Sequence, residues 1–162
     1  MGKKAREIVE MDVTKVVDLL NKAYADEWLA YYQYWIGAKI IKGPMRGVAA
    51  RELEEHAGEE LEHADMLAER IIQLGGTPVI KPEDWYNHTN CGYEAPSNPD
   101  VRRVVQQNIE GERCAVDVYQ KMLDTFKDKD PVSYNLVLDI LEDELEHEED
   151  LEAIIEDIDV MK

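Results

Sequence analysis

The sequence predicts an all-α fold: a four-helix bundle of up, down, down, up topology with one long crossover between its second and third helices. Three observations predict it. Apolar residues recur at helical spacing through four long segments, while period-two alternation is nearly absent. Glycine and proline leave short links between the first and second segments and between the third and fourth, but a long one in the middle. One pattern, Glu-x6-Tyr followed later by Glu-x-x-His, occurs twice, so the second half of the chain nearly repeats the first.

The first helix is expected over about 12–41, with Val16, Leu20, Tyr24, Glu27, Tyr31, Tyr34 and Ala38 on one stripe. Gly43-Pro44 ends it and puts a proline in the first turn of the second helix, about 44–74. That helix carries Leu53, His56, Glu60, His63, Leu67, Ile71 and Leu74 on one stripe and stops at Gly75-Gly76. The crossover, about 75–98, is rich in Gly, Pro, Asn and aromatic residues and is long enough to cross the bundle. The third helix opens at Asn98-Pro99 and runs over about 99–127, with Val101, Val105, Asn108, Glu112, Ala115, Tyr119, Met122 and Phe126 in register. The fourth, about 131–158, starts with Asp130 as N-cap and Pro131 at the first helical position. Tyr134, Val137, Leu141, Glu144, His147, Leu151, Ile154 and Ile158 form its stripe. At 1.5 Å per residue, such helices are about 42–45 Å long. Residues 1–162 are thus expected to make one domain, long enough to bury a real core without staples.

Composition narrows the function. The chain has 36 Asp and Glu against 18 Lys and Arg, a formal charge of −18, and a nucleic-acid partner is therefore not expected. The basic stub of Lys3, Lys4 and Arg6 reads as a solvated tail. An acidic surface suits the attraction of cations. No apolar run approaches the roughly 18–20 residues of a membrane span. Residues 1–12 lack the apolar region of a signal peptide, so a cytoplasmic location is expected. Two cysteines, Cys91 and Cys114, are too few for a secreted disulfide scaffold.

The repeated pattern carries the chemistry. Three positions along a helix bring two side chains to one face, so Glu60 with His63, and Glu144 with His147, each offer a carboxylate and an imidazole to a common point. Glu27 and Glu112 supply one more carboxylate per half. All six lie on the apolar stripes near the middles of their helices. Four buried carboxylates without counter-charge would be very unfavourable, whereas two divalent cations balance them. Oxygen-rich sites with one imidazole per ion suit iron or manganese, and iron is the better fit because it is redox-active. Glu112 is chosen over Glu110 because it shares the stripe of Val105, Asn108 and Tyr119, whereas Glu110 lies with Arg103, Asp117 and Lys121. Tyr34 and Tyr119 read either as second-layer donors to a ligating carboxylate or as ordinary core tyrosines. His56, one turn before Glu60, is a further second-layer candidate, and His88 reads as a loop residue.

These residues and their spacing resemble the ferritin-like superfamily over nearly the whole chain, and the doubled Glu-x-x-His resembles the bacterioferritin and rubrerythrin type of di-iron centre. Typical Dps proteins place their ligands between subunits and lack this pattern. The chain ends soon after the fourth helix, at Asp159-Val160-Met161-Lys162, where the short fifth helix of 24-subunit ferritins is not expected. Cys91 in Asn90-Cys91-Gly92 and Cys114 in Glu110-Gly111-Glu112-Arg113-Cys114-Ala115 are similar to the cysteine pair of Dps-like proteins called thioferritins. Leu74-Gly75-Gly76 and Glu144-x-x-His147-Glu148 match the same group. The resemblance implies a homo-oligomeric, dodecameric cage that oxidises Fe(II), preferably with hydrogen peroxide, stores the ferric mineral and protects against oxidative stress. It implies two irons per subunit, with Glu27 and His63 on one, Glu112 and His147 on the other, and Glu60 and Glu144 bridging. Cys91 and Cys114 are then expected to meet as a reversible disulfide near the iron. The alternatives are a rubrerythrin-like peroxidase without storage, a manganese catalase, and a bundle whose metal is only a structural staple. The paired Cys-x-x-Cys motifs usual in rubrerythrins are absent.

Overall fold

A computed structural model describes residues 3–161; Met1, Gly2 and Lys162, at the ends of the N-terminal stub and of the C-terminal segment read above, lie outside the described residues. The described residues form six α-helices and no strand: α1 (Lys3–Glu7), α2 (Val13–Ile40), α3 (Arg46–Gln73), α4 (Trp85–His88), α5 (Val101–Phe126) and α6 (Pro131–Val160). The four long ones pack as two antiparallel pairs, α2 with α3 and α5 with α6. A single 3₁₀ turn, Pro82–Asp84, leads into α4 inside the crossover.

The topology follows from where the crossover is tied. It leaves α3 at Gly75, whose φ is +80°, and Gly76, where an added Cβ would stand 2.6 Å from Val17 of α2. It then climbs α2. Asn21 accepts from the Val79 N–H at 2.9 Å and donates to the Thr77 carbonyl at 3.1 Å. Trp85 stacks on Trp28 at 5.1 Å, and Gln33 accepts from the Glu94 N–H at 3.1 Å. At the far end the Lys42 N–H donates to the Pro99 carbonyl at 2.7 Å and the Val101 N–H donates to the Lys42 carbonyl at 2.9 Å. The start of α5 therefore sits beside the end of α2, which gives the up, down, down, up order.

That last tie also moves two helix starts. Pro44 is not in the first turn of α3. Lys42 is held extended against Pro99, so the chain re-enters a helix only through Met45, in the left-handed region at φ +58°. The carbonyl of Met45 then accepts from Val48 and Ala49. Pro99 likewise stays outside α5 because its carbonyl serves Lys42, and the Asp100 side chain caps the helix by accepting from the Arg103 N–H at 3.3 Å. At α6, Asp130 accepts from the Ser133 N–H at 3.1 Å and from Arg70 at 2.8 Å, both buried. The Lys3–Arg6 stub is helical, with Lys3 and Lys4 paired to Glu7.

Inside, two apolar clusters occupy the two ends of the bundle. One is built around Leu20, Leu67, Ile71, Phe126 and Ile140, the other around Ala38, Leu53, Val101, Val105 and Leu151. Between them, at mid-helix, lies a buried polar layer of Glu27, Glu60, His63, Glu112, Glu144 and His147.

Candidate metal centre

All six residues of the polar layer converge. Glu27, Glu60, His63 and Glu144 offer donor atoms within 4.8 Å of one another, and Glu60, Glu112, Glu144 and His147 do the same. Glu60 and Glu144 belong to both groups, which is the arrangement of two cations sharing two carboxylates. His63 Nδ1 stands 3.4 Å from Glu27, 3.7 Å from Glu60 and 3.4 Å from Glu144. His147 Nδ1 stands 3.2 Å from Glu60, 3.8 Å from Glu112 and 3.5 Å from Glu144. Glu110 lies outside the cluster, on the surface, paired with Arg113 at 2.9 Å.

The donor set fits cations on a second count. Seven of its atoms are buried without a hydrogen-bond partner: Glu27 Oε2, Glu60 Oε1, His63 Nδ1, Glu112 Oε2, both oxygens of Glu144 and His147 Nδ1. Folded proteins rarely leave such atoms unpaired. A ring of unpaired acceptors and two imidazoles is what a pair of bound cations would satisfy.

The tyrosines work crosswise. Tyr119, on α5, donates to Glu27 Oε1 on α2; Tyr34, on α2, donates to Glu112 Oε1 on α5. Each phenol thus holds one oxygen of an outer carboxylate and leaves the other facing the cluster. Burial and the neighbouring carboxylates push both phenols well above the ordinary tyrosine range, so they remain donors. A second crosswise pair went unread in the sequence. Asp143 of α6 meets His63 Nε2 at 2.9 Å, and Glu59 of α3 meets His147 Nε2 at 2.7 Å. These carboxylates fix the ring orientation so that Nδ1 turns inward. Their signal was an acid directly before each motif glutamate, Glu59-Glu60 and Asp143-Glu144, hidden among 36 acids.

Electrostatics divides the carboxylates into inner and outer. Burial, then repulsion from Glu60 and Glu144, raises Glu27 well above the usual range, and burial with repulsion from Glu144 does the same to Glu112. Burial works against ionisation of Glu60 too, but the close approach of Glu27, His147 and His63 outweighs it and holds Glu60 down. Glu144 is also lowered, the proximity of His147, His63 and Glu112 overcoming burial and Glu60. Burial disfavours charge on His63 and His147, yet the surrounding glutamates raise both far above the histidine range. Cations that bind such a cluster compete with its protons. His56, stacked on His147 at 4.1 Å, is brought down to about 4 by burial and by His147. His88 lies in α4, in none of these groups.

Cys91 and Cys114 are joined as a disulfide with Cα atoms 5.9 Å apart, tying the crossover to α5. Asp26, beside Glu27, holds the same stretch of crossover: it accepts from Thr89, from the N–H and side chain of Asn90, and from the Cys91 N–H. Nothing in the periodicity marks Asp26, because its partners come from the crossover. A cavity of about 160 Å³ runs from the disulfide to the cluster, lined among others by Gly111, Asn108, Tyr34, Glu112 and Glu144.

The description "ferritin-like domain" belongs to the family model that matches residues 17–161. A protein of Pyrococcus furiosus named DNA protection during starvation protein is 34% identical over 96% of this chain and 86% of its own. A bacterioferritin of Rhodobacter capsulatus is 30% identical over 87% of this chain and 83% of its own. Among solved structures, a dodecameric thioferritin, the bacterioferritin-related protein of Bacteroides fragilis, is 41% identical with a TM-score of 0.96, covering 99% of this chain and 96% of its own. Dps from Thermosynechococcus elongatus, at 19% identity and a TM-score of 0.83 over 88% of this chain and 90% of its own, shares the fold.

Proposed function

The chain belongs to the ferritin-like domain family, and from that premise we propose that it oxidises Fe(II) at the buried cluster, with hydrogen peroxide as preferred oxidant, and stores the ferric product inside a homo-oligomeric shell of twelve copies. The observation that carries this reading is the pair of four-donor groups sharing Glu60 and Glu144. Two ferrous ions supply two electrons, the number that takes one peroxide and two protons to two waters without releasing a hydroxyl radical.

The residues have distinct parts in this reading. Glu27 and His63 hold one ion, Glu112 and His147 the other, and Glu60 and Glu144 span both. Tyr119 and Tyr34 keep one oxygen of each outer carboxylate occupied and would leave the other free to hold an ion. Asp143 and Glu59 hold the imidazole Nε2 atoms and keep each Nδ1 lone pair inward. The apolar clusters above and below exclude water from the layer. The fit of the thioferritin structure, itself a dodecamer, supports the twelve-copy shell.

Among the described residues no helix is long and apolar enough to cross a membrane. The same reading places the protein in the cytoplasm, where removing Fe(II) and peroxide together protects against oxidative stress. A surface carrying −18 protects DNA by that chemistry and not by contact. The test is anaerobic loading with Fe(II), then peroxide or dioxygen, following ferric absorbance and particle mass by light scattering. The expected result is faster oxidation with peroxide and hundreds of irons kept soluble per particle. Turnover of peroxide without retained iron would make the protein a di-iron peroxidase.

A further inference from the structure

Cys91, Gly92 and Glu94 roof the cavity that runs down to Glu60 and Glu144, and the disulfide is only one of the ties that keep this stretch of crossover in place. Asp26 is another. Its Oδ1 accepts from the Thr89 hydroxyl, from the Asn90 N–H at 2.8 Å and from the Cys91 N–H at 2.9 Å, and its Oδ2 accepts from the Asn90 side chain at 2.7 Å. One carboxylate thus fixes three consecutive residues, the last of them a cysteine of the pair. Thr89 extends the hold by accepting from the Gly92 N–H at 2.8 Å, and from the other wall Gln107 of α5 donates to the Glu94 carbonyl at 2.6 Å. Hydrogen bonds to a carboxylate are roughly twice as strong as neutral ones, so Asp26 is the main non-covalent tie.

The near-repeat shows that a helix in this place does not require an acid. Setting Glu27 against Glu112 puts Asp26 opposite Gly111 and Leu29 opposite Cys114. Gly111 lines the same cavity, and a Cβ added there would meet nothing within 4 Å. The second helix pair therefore leaves open space where the first carries a buried carboxylate. Asp26 serves the crossover: its four hydrogen bonds all go to residues 89–91, and lifting that segment would break them together.

We propose that Asp26 is the positioning residue of the cysteine pair, holding Cys91 over Cys114 even when the sulfurs are not joined, so that the pair can pass between dithiol and disulfide without unroofing the cavity. In the oxidising direction an external disulfide takes up two electrons and two protons and becomes two thiols, while Cys91 and Cys114 lose the same number and form their S–S bond. The mixed disulfide on one cysteine is resolved by the other. Because the backbone of Cys91 is already in place, that attack occurs within the molecule at high effective concentration. The inference stands apart from the ferroxidase reading, since it needs no metal.

Two measurements on the assembled protein test it: hydrogen exchange of the crossover amides, and equilibration of the pair with glutathione. In wild type the Asn90 and Cys91 N–H groups should stay protected after reduction, and in Cys114→Ser they should match the oxidised wild type. Asp26→Asn keeps the size of the side chain but replaces one acceptor oxygen by a donor. Once reduced it should lose that protection, and its equilibrium constant for disulfide formation should fall at least about tenfold, a rise of about 30 mV in reduction potential. Gln107→Ala, which frees only Glu94, should leave the potential near that of wild type. Loss of Asn90 and Cys91 protection on reducing wild type would overturn the proposal and make the disulfide itself the tie that keeps the crossover down. An unchanged potential in Asp26→Asn would overturn it too. Should Asp26→Asn not fold, exchange in reduced wild type and in Cys114→Ser decides.

Discussion

The two halves of the metal centre are built alike at their hearts and differently at their backs. Glu27 and His63 are steadied by Tyr119 and Asp143; Glu112 and His147 are steadied by Tyr34 and Glu59. Behind the first half stand Ile140, Leu136 and Met66 in apolar packing. Behind the second stand His56, Glu52 and Asp150. The disulfide adds a second asymmetry, on the α2–α5 face: Cys114 follows Glu112 by two positions, where Leu29, a buried leucine, follows Glu27. The inner donors are therefore symmetric, as the proposed pair of ions requires. Their surroundings are not.

The strongest way to break this comparison is through the shared residues. Glu60→Ala or Glu144→Ala should abolish paired binding and slow Fe(II) oxidation by at least about 100-fold in stopped-flow measurements, because each removal costs both ions a donor and leaves the other carboxylates less compensated. Glu110→Ala should match wild type, since Glu110 lies on the surface paired with the exposed Arg113; loss of the metal pair in Glu110→Ala, or its survival in Glu112→Ala, would overturn the choice between them. A finer test compares Asp143→Asn with Glu59→Gln. Each should weaken one ion about 10- to 100-fold in Co(II) titrations, since each frees an imidazole from its orienting partner, and losses confined to one variant would show that the halves are not equivalent even at the inner shell.

Cys114→Ser probes the asymmetric side. Removing a link that closes 23 residues should lower unfolding free energy by about 3 kcal/mol in denaturant titrations. If the pair is redox-active, thiol alkylation after reduction and peroxide treatment should show both cysteines protected together; unchanged labelling would leave the disulfide a purely structural tie. Smallest are Tyr34→Phe and Tyr119→Phe, each leaving a buried carboxylate oxygen without its donor at a cost of about 1–3 kcal/mol. The two should be equal, and thermal melts would reveal otherwise.

How much of this was legible depended on the range of the interaction. The four long helices and the crossover are written in stripes and in Gly/Pro punctuation, and the convergence of Glu27, Glu60, His63, Glu112, Glu144 and His147 followed from their places on those stripes. Pro44 and Pro99 misled because the extended pairing of Lys42 with Pro99 joins residues far apart in the chain, and no local rule anticipates it. The α4 turn escaped notice because it is secured by Trp85 on Trp28, not by its own periodicity. The tyrosines were visible, but a spacing of seven residues pointed to their own helices when each in fact serves the other pair. Glu59 and Asp143 look like solvated acids until the fold brings them to an imidazole on the facing helix.

A polar waist between two apolar ends has a consequence for how the molecule breathes. The ends can assemble without any metal, because each is a dry cluster drawn from both helix pairs. The middle turns, where unpaired acceptors face one another, are then the least cohesive part of an otherwise tight bundle. Amide hydrogens around Glu27 and Glu112 should exchange faster in metal-free protein than those near Leu20 or Leu151, and should slow markedly as ions are added. The helices would open like a barrel loosened at its middle hoop, wide enough to admit an ion without unfolding at either end.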